Sequence, residues 1–378
     1  NMFTTEEIAE GLINGSKDAL SGLTKSAIYQ YGILIPKGLV QAGKTVGAPF
    51  THARNFSSGA ITTVYLGNIA IPPKEIAKAI RTSYRTIQPQ FFGPNRPGLN
   101  ISAKRPRLYG ANTTDPNKLV GAKEFVEEGG NSLYRFLLDE GMVNSSARAR
   151  EVELLIADSA QTGFLDKVWK KLGTKTQKII KGAQEAYIAE DDFWKVFNFF
   201  GESYRIRAAY ENAIKKGVIK LADVPGGSLE SIEILQMATK KVRDMLPNYN
   251  YVPPFVKGTR RSPLGNFVGW TSEQIRTFPN ALKTAIEETK SPIFAKMGMQ
   301  RLVGMSLTLA TLPPLAVYGA MQAYGFTEKK LDALKEFLPG FSKNNTILPI
   351  YENGEYKYID FSRGFFYETL TSPIQTIF

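Results

Sequence analysis

From residue 302 to residue 327 the chain carries no charged side chain, with Arg301 before the run and Glu328-Lys329-Lys330 after it. A helix of that length rises about 1.5 Å per residue, enough to cross a hydrocarbon core of about 30 Å. Two features oppose a simple span. Pro313-Pro314 stands at the centre, where a helix interior loses amide donors and meets ring clashes, and Ser306, Thr308, Thr311 and Gln322 dilute the apolar character. The expected form is therefore a helix, or a hairpin of two short helices hinged at the prolines, buried within the assembly. A latent membrane-inserting element is the alternative. In both readings the residues of interest are Leu302, Leu309, Leu312, Pro313, Pro314 and Val317.

Elsewhere the pattern is that of a mainly α, multi-segment helical protein with long Pro/Gly-rich connectors and a C-terminal β-hairpin. Apolar periodicity predicts helices over 4–30, 74–87, 117–128, 130–140, 145–160, 162–173, 174–216, 228–246, 271–290, 292–310 and 328–338. The run 53–71 fits helix or strand. Prolines and glycines predict loops over 88–117 and 247–263. Asn353-Gly354, between Ile347–Tyr351 and Glu355–Phe361, predicts a tight hairpin, because both central residues of that turn need positive φ. These breaks divide the chain into an N-terminal helical segment, 1–105, a central helical domain, 106–250, and a C-terminal region, 251–378, with the uncharged hairpin and the terminal β-hairpin.

Composition removes several classes of chemistry. The 378 residues include no cysteine and one histidine, His52. Disulfides, thiolate metal sites, multi-histidine zinc sites and cysteine–histidine catalysis are excluded. The 47 basic and 35 acidic residues leave a formal charge of +12. A field of that sign favours polyanions: nucleic acid, anionic lipid or an acidic protein channel. The candidate polyanion contacts are Lys104, Arg105 and Arg107, and Lys257, Arg260 and Arg261. The start, Asn1-Met2 followed by Thr4-Thr5-Glu6-Glu7, lacks the basic flank and apolar run of a signal peptide. It is the start expected of a piece of a longer polypeptide.

Three local patterns invite a chemical reading. Gly38-Leu-Val-Gln-Ala-Gly43-Lys44-Thr45 spells a P-loop. Its preceding strand, Ile33–Ile35, is short and ends at Pro36, while Gly47 and Pro49 break the helix that should cradle phosphate, so a chance match is expected. His52, beside Thr51 and Asn55, reads as a hydrogen-bonded structural residue rather than a general base. Glu185, Glu190, Asp191 and Asp192 read as a solvated face paired with Lys195 or Arg205/Arg207, not as a divalent-metal site, since consecutive acids on a helix point to different faces. On the same helix the aromatic stripe through Phe193, Trp194, Phe197 and Phe200 reads as core, with partner docking as the second possibility. No catalytic residue, metal site or cofactor is expected.

Three stretches carry a resemblance. Lys44-Thr-Val-Gly-Ala-Pro-Phe-Thr-His-Ala-Arg-Asn55-Phe-Ser-Ser, Ala189-Glu-Asp-Asp-Phe-Trp-Lys-Val-Phe-Asn-Phe-Phe-Gly-Glu202, and Thr259-Arg-Arg-Ser-Pro-Leu-Gly-Asn-Phe267 with Met299-Gln-Arg-Leu-Val-Gly-Met305 resemble segments of very large phage proteins. Over roughly residues 30–378 the chain is similar to the helical region associated with the large polyvalent proteins of tailed phages, many of them internal virion proteins. The resemblance implies a non-enzymatic protein packaged in the capsid near the portal. It would take part in genome ejection and form or line a conduit into the host. It implies contacts with other copies of itself, with portal or core proteins, with DNA and with the host membrane or envelope during infection, and no small-molecule substrate. The alternative is the accessory, nucleic-acid-contacting region of a larger virion-packaged enzyme such as an RNA polymerase. The family's motifs also reassign Lys44 and Thr45 to the stretch ending at Asn55, away from a nucleotide site.

Overall fold

A computed structural model describes residues 37, 48–91, 130–144, 173–259, 268–338 and 345–360. The expected helices at 4–30, 117–128, 145–160 and, but for its last residue, 162–173, the P-loop spelling, most of the loop after residue 91, and Lys104, Arg105, Arg107, Arg260 and Arg261 lie outside them.

The ambiguous run after residue 48 is helix. α1, Pro49–Tyr65, starts with proline at a position where the missing amide is harmless. It stops where Gly67 takes φ +69° and the chain turns inward. α2, Pro73–Phe91, begins in the same way, the Pro72 carbonyl accepting from the amides of Glu75 and Ile76. α3, Gly130–Asp139, packs on α2. α4, Gly173–Lys215, is the axis of the fold, and α1, α2 and α5 (Ile232–Met245) pack against it. Tyr187, Ile188, Val196, Phe197, Phe199, Phe200 and Ile206 are buried along its middle. These positions lie on several faces, as a helix enclosed by neighbours requires.

α5 stops at Leu246, ahead of Pro247. The expected irregular connector that follows is partly ordered. It contains a 3-10 turn, Tyr249–Tyr251, and a short helix α6, Pro254–Thr259. α7, Val268–Lys290, passes through Pro279, and α8, Ala295–Ser306, returns against it. Gly298 makes this return possible, because a Cβ there would strike the backbone of Ala285 and Thr289. One hydrophobic core runs from Tyr65 and Ile87 through Leu133 and the middle of α4 to Ala281, Ala285 and Met305. All three segments separated in the sequence contribute to it.

The hairpin expected at Pro313-Pro314 does not form. α8 continues through a π-helical turn, Leu307–Thr311, into α9, Leu312–Tyr324, as one helical rod, Ala295–Tyr324. The wider turn is the physical reason. With i→i+5 bonding, the amide of Leu312 reaches Leu307 O, and the prolines follow at the first positions of the next α segment. The prolines thus produce a change of helix type rather than a reversal. α9 ends at Gly325, φ +66°, whose amide bonds Met321 O. α10, Glu328–Glu336, opens with the Thr327 hydroxyl accepting from the Lys330 amide.

The terminal hairpin is present as expected. β1, Ile347–Glu352, pairs antiparallel with β2, Glu355–Asp360, in the register Tyr351↔Tyr356 and Glu352↔Glu355. Asn353 and Gly354 have φ 54° and 82°. β1 lies along one side of α9.

Candidate functional site

The functional geometry has two parts: a buried polar seam that holds α8, and the uncharged rod that leaves it. The seam begins at the turn after α1. Asn68, fully buried, donates from Nδ2 to Asn198 Oδ1 on α4 at 2.8 Å, and Asn198 Nδ2 donates to Thr63 Oγ1 at 3.1 Å and Trp194 O at 2.8 Å. Arg205, almost two turns further along α4, donates to Asn68 Oδ1 at 2.8 Å, Leu66 O at 3.2 Å, Met297 O at 2.8 Å and Gln300 Oε1 at 3.2 Å. One guanidinium thereby joins α4 to the end of α1 and to the start of α8.

Arg301 completes the seam. It is 0% exposed, and it bridges Glu202 on α4 at 2.6 Å and Glu288 on α7 at 2.8 Å while donating to Leu66 O at 2.8 Å. Lys241 of α5 pairs with Glu288 and lies over the Phe294 ring at 4.9 Å. Burial pushes the Glu202 carboxyl up, and the guanidiniums of Arg301 and Arg205 outweigh it, holding the group down at about 2. Burial lowers Arg205 to about 10, with the neighbouring Arg301 charge acting in the same direction. Buried charges matched this closely are worth more as a statement of register than as net stability. Gly304 brings the backbones together at the same place, its α-carbon facing Val64 O, Tyr65 O and the Gly67 amide.

The four acids expected on a solvated face separate. Glu190 accepts from the His52 ring at 2.6 Å and from Asn55 Nδ2 at 3.2 Å, joining α1 to α4. Partial burial raises its pKa, against the hydrogen bonds from His52 and Asn55. Asp191 pairs with Lys195 at 2.8 Å, as expected. Asp192 overturns the solvated reading. It is completely buried, where it accepts the Tyr134 hydroxyl at 3.2 Å and the Asn144 amide at 2.9 Å. Desolvation pushes its pKa up to about 7. Among the described residues no three histidine or acidic side chains converge as metal ligands.

The aromatic stripe divides in the same manner. Phe197 and Phe200 are buried core, so partner docking through them is corrected: α4 is covered on that side. Phe193 and Trp194 are partly buried in a ring cluster with Phe56, whose centroid lies 5.0 Å from that of Trp194. Of the six polyanion candidates only Lys257 is described, and its ammonium lies 4.9 Å from the Tyr249 ring centroid.

Along the rod, burial falls away after the seam. Met297, Gly298, Arg301, Gly304 and Met305 are buried, and Leu302 and Leu309 pack against the core from partly buried positions. Beyond the π turn, Pro313 is buried and Val317 half-buried, whereas Leu312, Pro314, Leu315 and Tyr318 are exposed, Leu315 at 58% and Tyr318 at 61%. Only 22% of the most apolar window of Ala295–Tyr324 is buried within the fold. Within the single chain α9 is therefore largely uncovered. A globular chain does not ordinarily leave a continuous apolar surface of this kind uncovered.

The uncharged run is legible in the sequence, but its form as one rod is not, nor is the seam, where Arg301 figures only as a flank. Glu202 of α4 and Arg301 of α8 lie 99 residues apart in the sequence and meet in space. Comparison with protein-family models, with curated proteins and with solved structures finds no match.

Proposed function

We propose that this chain is a non-enzymatic internal virion protein of a tailed phage, held in the capsid near the portal and released during genome ejection to engage the host envelope. The observation that carries the reading is the exposed apolar rod: a helix long enough for a bilayer, fixed at one end to a well-packed bundle and largely uncovered beyond it. Three things support it. Two of the stretches on which the resemblance to large phage proteins rests meet at the Arg301–Glu202 pair. The charge of +12 suits a protein stored beside DNA or an acidic tunnel. The polar groups of the seam are engaged in holding helices together, as a structural role requires.

Mass spectrometry of purified virions of the source phage tests the reading. Peptides of this chain should be present at a fixed copy number in full particles and depleted after DNA release. A chain absent from the particles contradicts it.

A further inference from the structure

Resting on the membrane reading above, we propose that only the part of the rod beyond the seam enters lipid. In this account α8 stays docked in the bundle, the π turn Leu307–Thr311, held by buried Thr308 and core-packed Leu309, is the hinge, and the segment Leu312–Tyr324 is the membrane-entering element.

Three independent features of the rod coincide at that turn. The first is electrostatic. Arg301 sits at 0% exposure between Glu202 and Glu288, and Arg205 holds the Met297 carbonyl one turn earlier. Pulling α8 into hydrocarbon would carry a guanidinium out of two ion pairs and leave Glu202 and Glu288 in the protein interior with Arg205 and Lys241 to match them. The second is steric. Gly298 and Gly304 set α8 directly on the backbones of α7 and of the turn after α1, contacts that must all break together. The third is the helix itself. Bonding changes from α to π over Leu307–Thr311, and Thr311 departs to φ −107°, just ahead of two residues that have no amide to donate. Past this point, among the described residues, no buried charge holds the rod, and β1 packs along one side of it. A Cβ on Gly319 would meet no atom within 4 Å, and Leu315 and Tyr318 point outward.

Leu312–Tyr324 rises about 20 Å at about 1.5 Å per residue, so it enters a hydrocarbon core of about 30 Å without α8 having to leave the bundle. The far end is furnished for an interface. Tyr324 terminates the helix, and the neighbouring hairpin exposes Tyr351, Tyr356 and Tyr358, with Lys330 over the Tyr356 ring at 5.5 Å. Tyrosine and lysine are residues that rest comfortably at headgroup level.

The absence of native cysteine makes the test direct. Single cysteines replace Met299, Val303, Leu312, Leu315 and Tyr318, all exposed, and carry an environment-sensitive fluorophore. Each labelled protein is mixed with phosphatidylcholine–phosphatidylglycerol vesicles containing lipids spin-labelled on the acyl chain. Positions 312, 315 and 318 should shift to the blue and be quenched severalfold, while 299 and 303 keep their spectra in buffer. Quenching at all five positions overturns the hinge and leaves the membrane reading standing. Quenching at none of them overturns both.

Discussion

At the residue scale, Asp192 and Arg301 show how burial converts ordinary side chains into conditional ones. Burial pushes the Asp192 carboxyl in the folded chain up to about 7, from an ordinary value of 3.8. The folded state therefore holds its proton more tightly than the unfolded chain between those values. Its contribution is fully present below about pH 4 and is lost as pH rises toward 7, by roughly 4 kcal/mol at most. Asp192→Asn should accordingly be more stable than the parent at pH 8 and lose that advantage by pH 4. Urea denaturation at the two pH values checks it, and an unchanged difference between them contradicts it. Arg301→Met should be severe, because it removes the buried charge that Glu202 and Glu288 share and leaves them to Arg205 and Lys241, at a cost of about 3–5 kcal/mol. Adding Glu202→Gln and Glu288→Gln to Arg301→Met should recover part of that loss in a thermal melt. None of this was legible in the sequence. Nothing local distinguishes Arg301 from a charge that merely ends an apolar run, since its partners lie 99 and 13 residues away.

At the element scale, most of the helices were legible and one connection was not. The periodicity placed Gly130–Asp139 and Gly173–Lys215 closely, and Asn353-Gly354 placed the hairpin, because those signals are local. Pro313-Pro314 was read as a corner because proline normally interrupts an α ladder. A π turn before it satisfies the same constraint without changing direction, and the choice between the two depends on what α8 packs against. The glycines of the rod expose that dependence. Gly304→Ala would drive a methyl group toward Val64 O, with Tyr65 O at 3.0 Å and the Gly67 amide at 3.2 Å, and should cost about 1–3 kcal/mol. Gly319→Ala meets nothing and should stabilise by about 0.5–1 kcal/mol through helix propensity. Chemical denaturation of the pair measures the boundary between the held and the open parts of one helix. Equal effects would mean there is none.

At the scale of the whole molecule, the fold is a helical bundle whose polar interior and apolar exterior exchange their usual places along a single rod. The seam draws on α1, α4, α5, α7 and α8 and keeps its charges inside. The rod leaves that seam with apolar side chains facing outward. Charge and composition pointed to a polyanion or a lipid surface without choosing between them. The exposure of Leu312, Leu315 and Tyr318 is what favours lipid, and exposure belongs to the folded chain.

The most direct measurement is flotation of the purified protein with phosphatidylcholine–phosphatidylglycerol vesicles at physiological salt, comparing the parent with Leu315→Lys. Leu315 is open to solvent, so a lysine there should leave the bundle and its melting temperature unchanged. The account predicts that the parent floats with the vesicles and that the variant stays at the bottom of the gradient, an affinity loss of tenfold or more. A parent that does not float, or a variant that floats equally well, would contradict it.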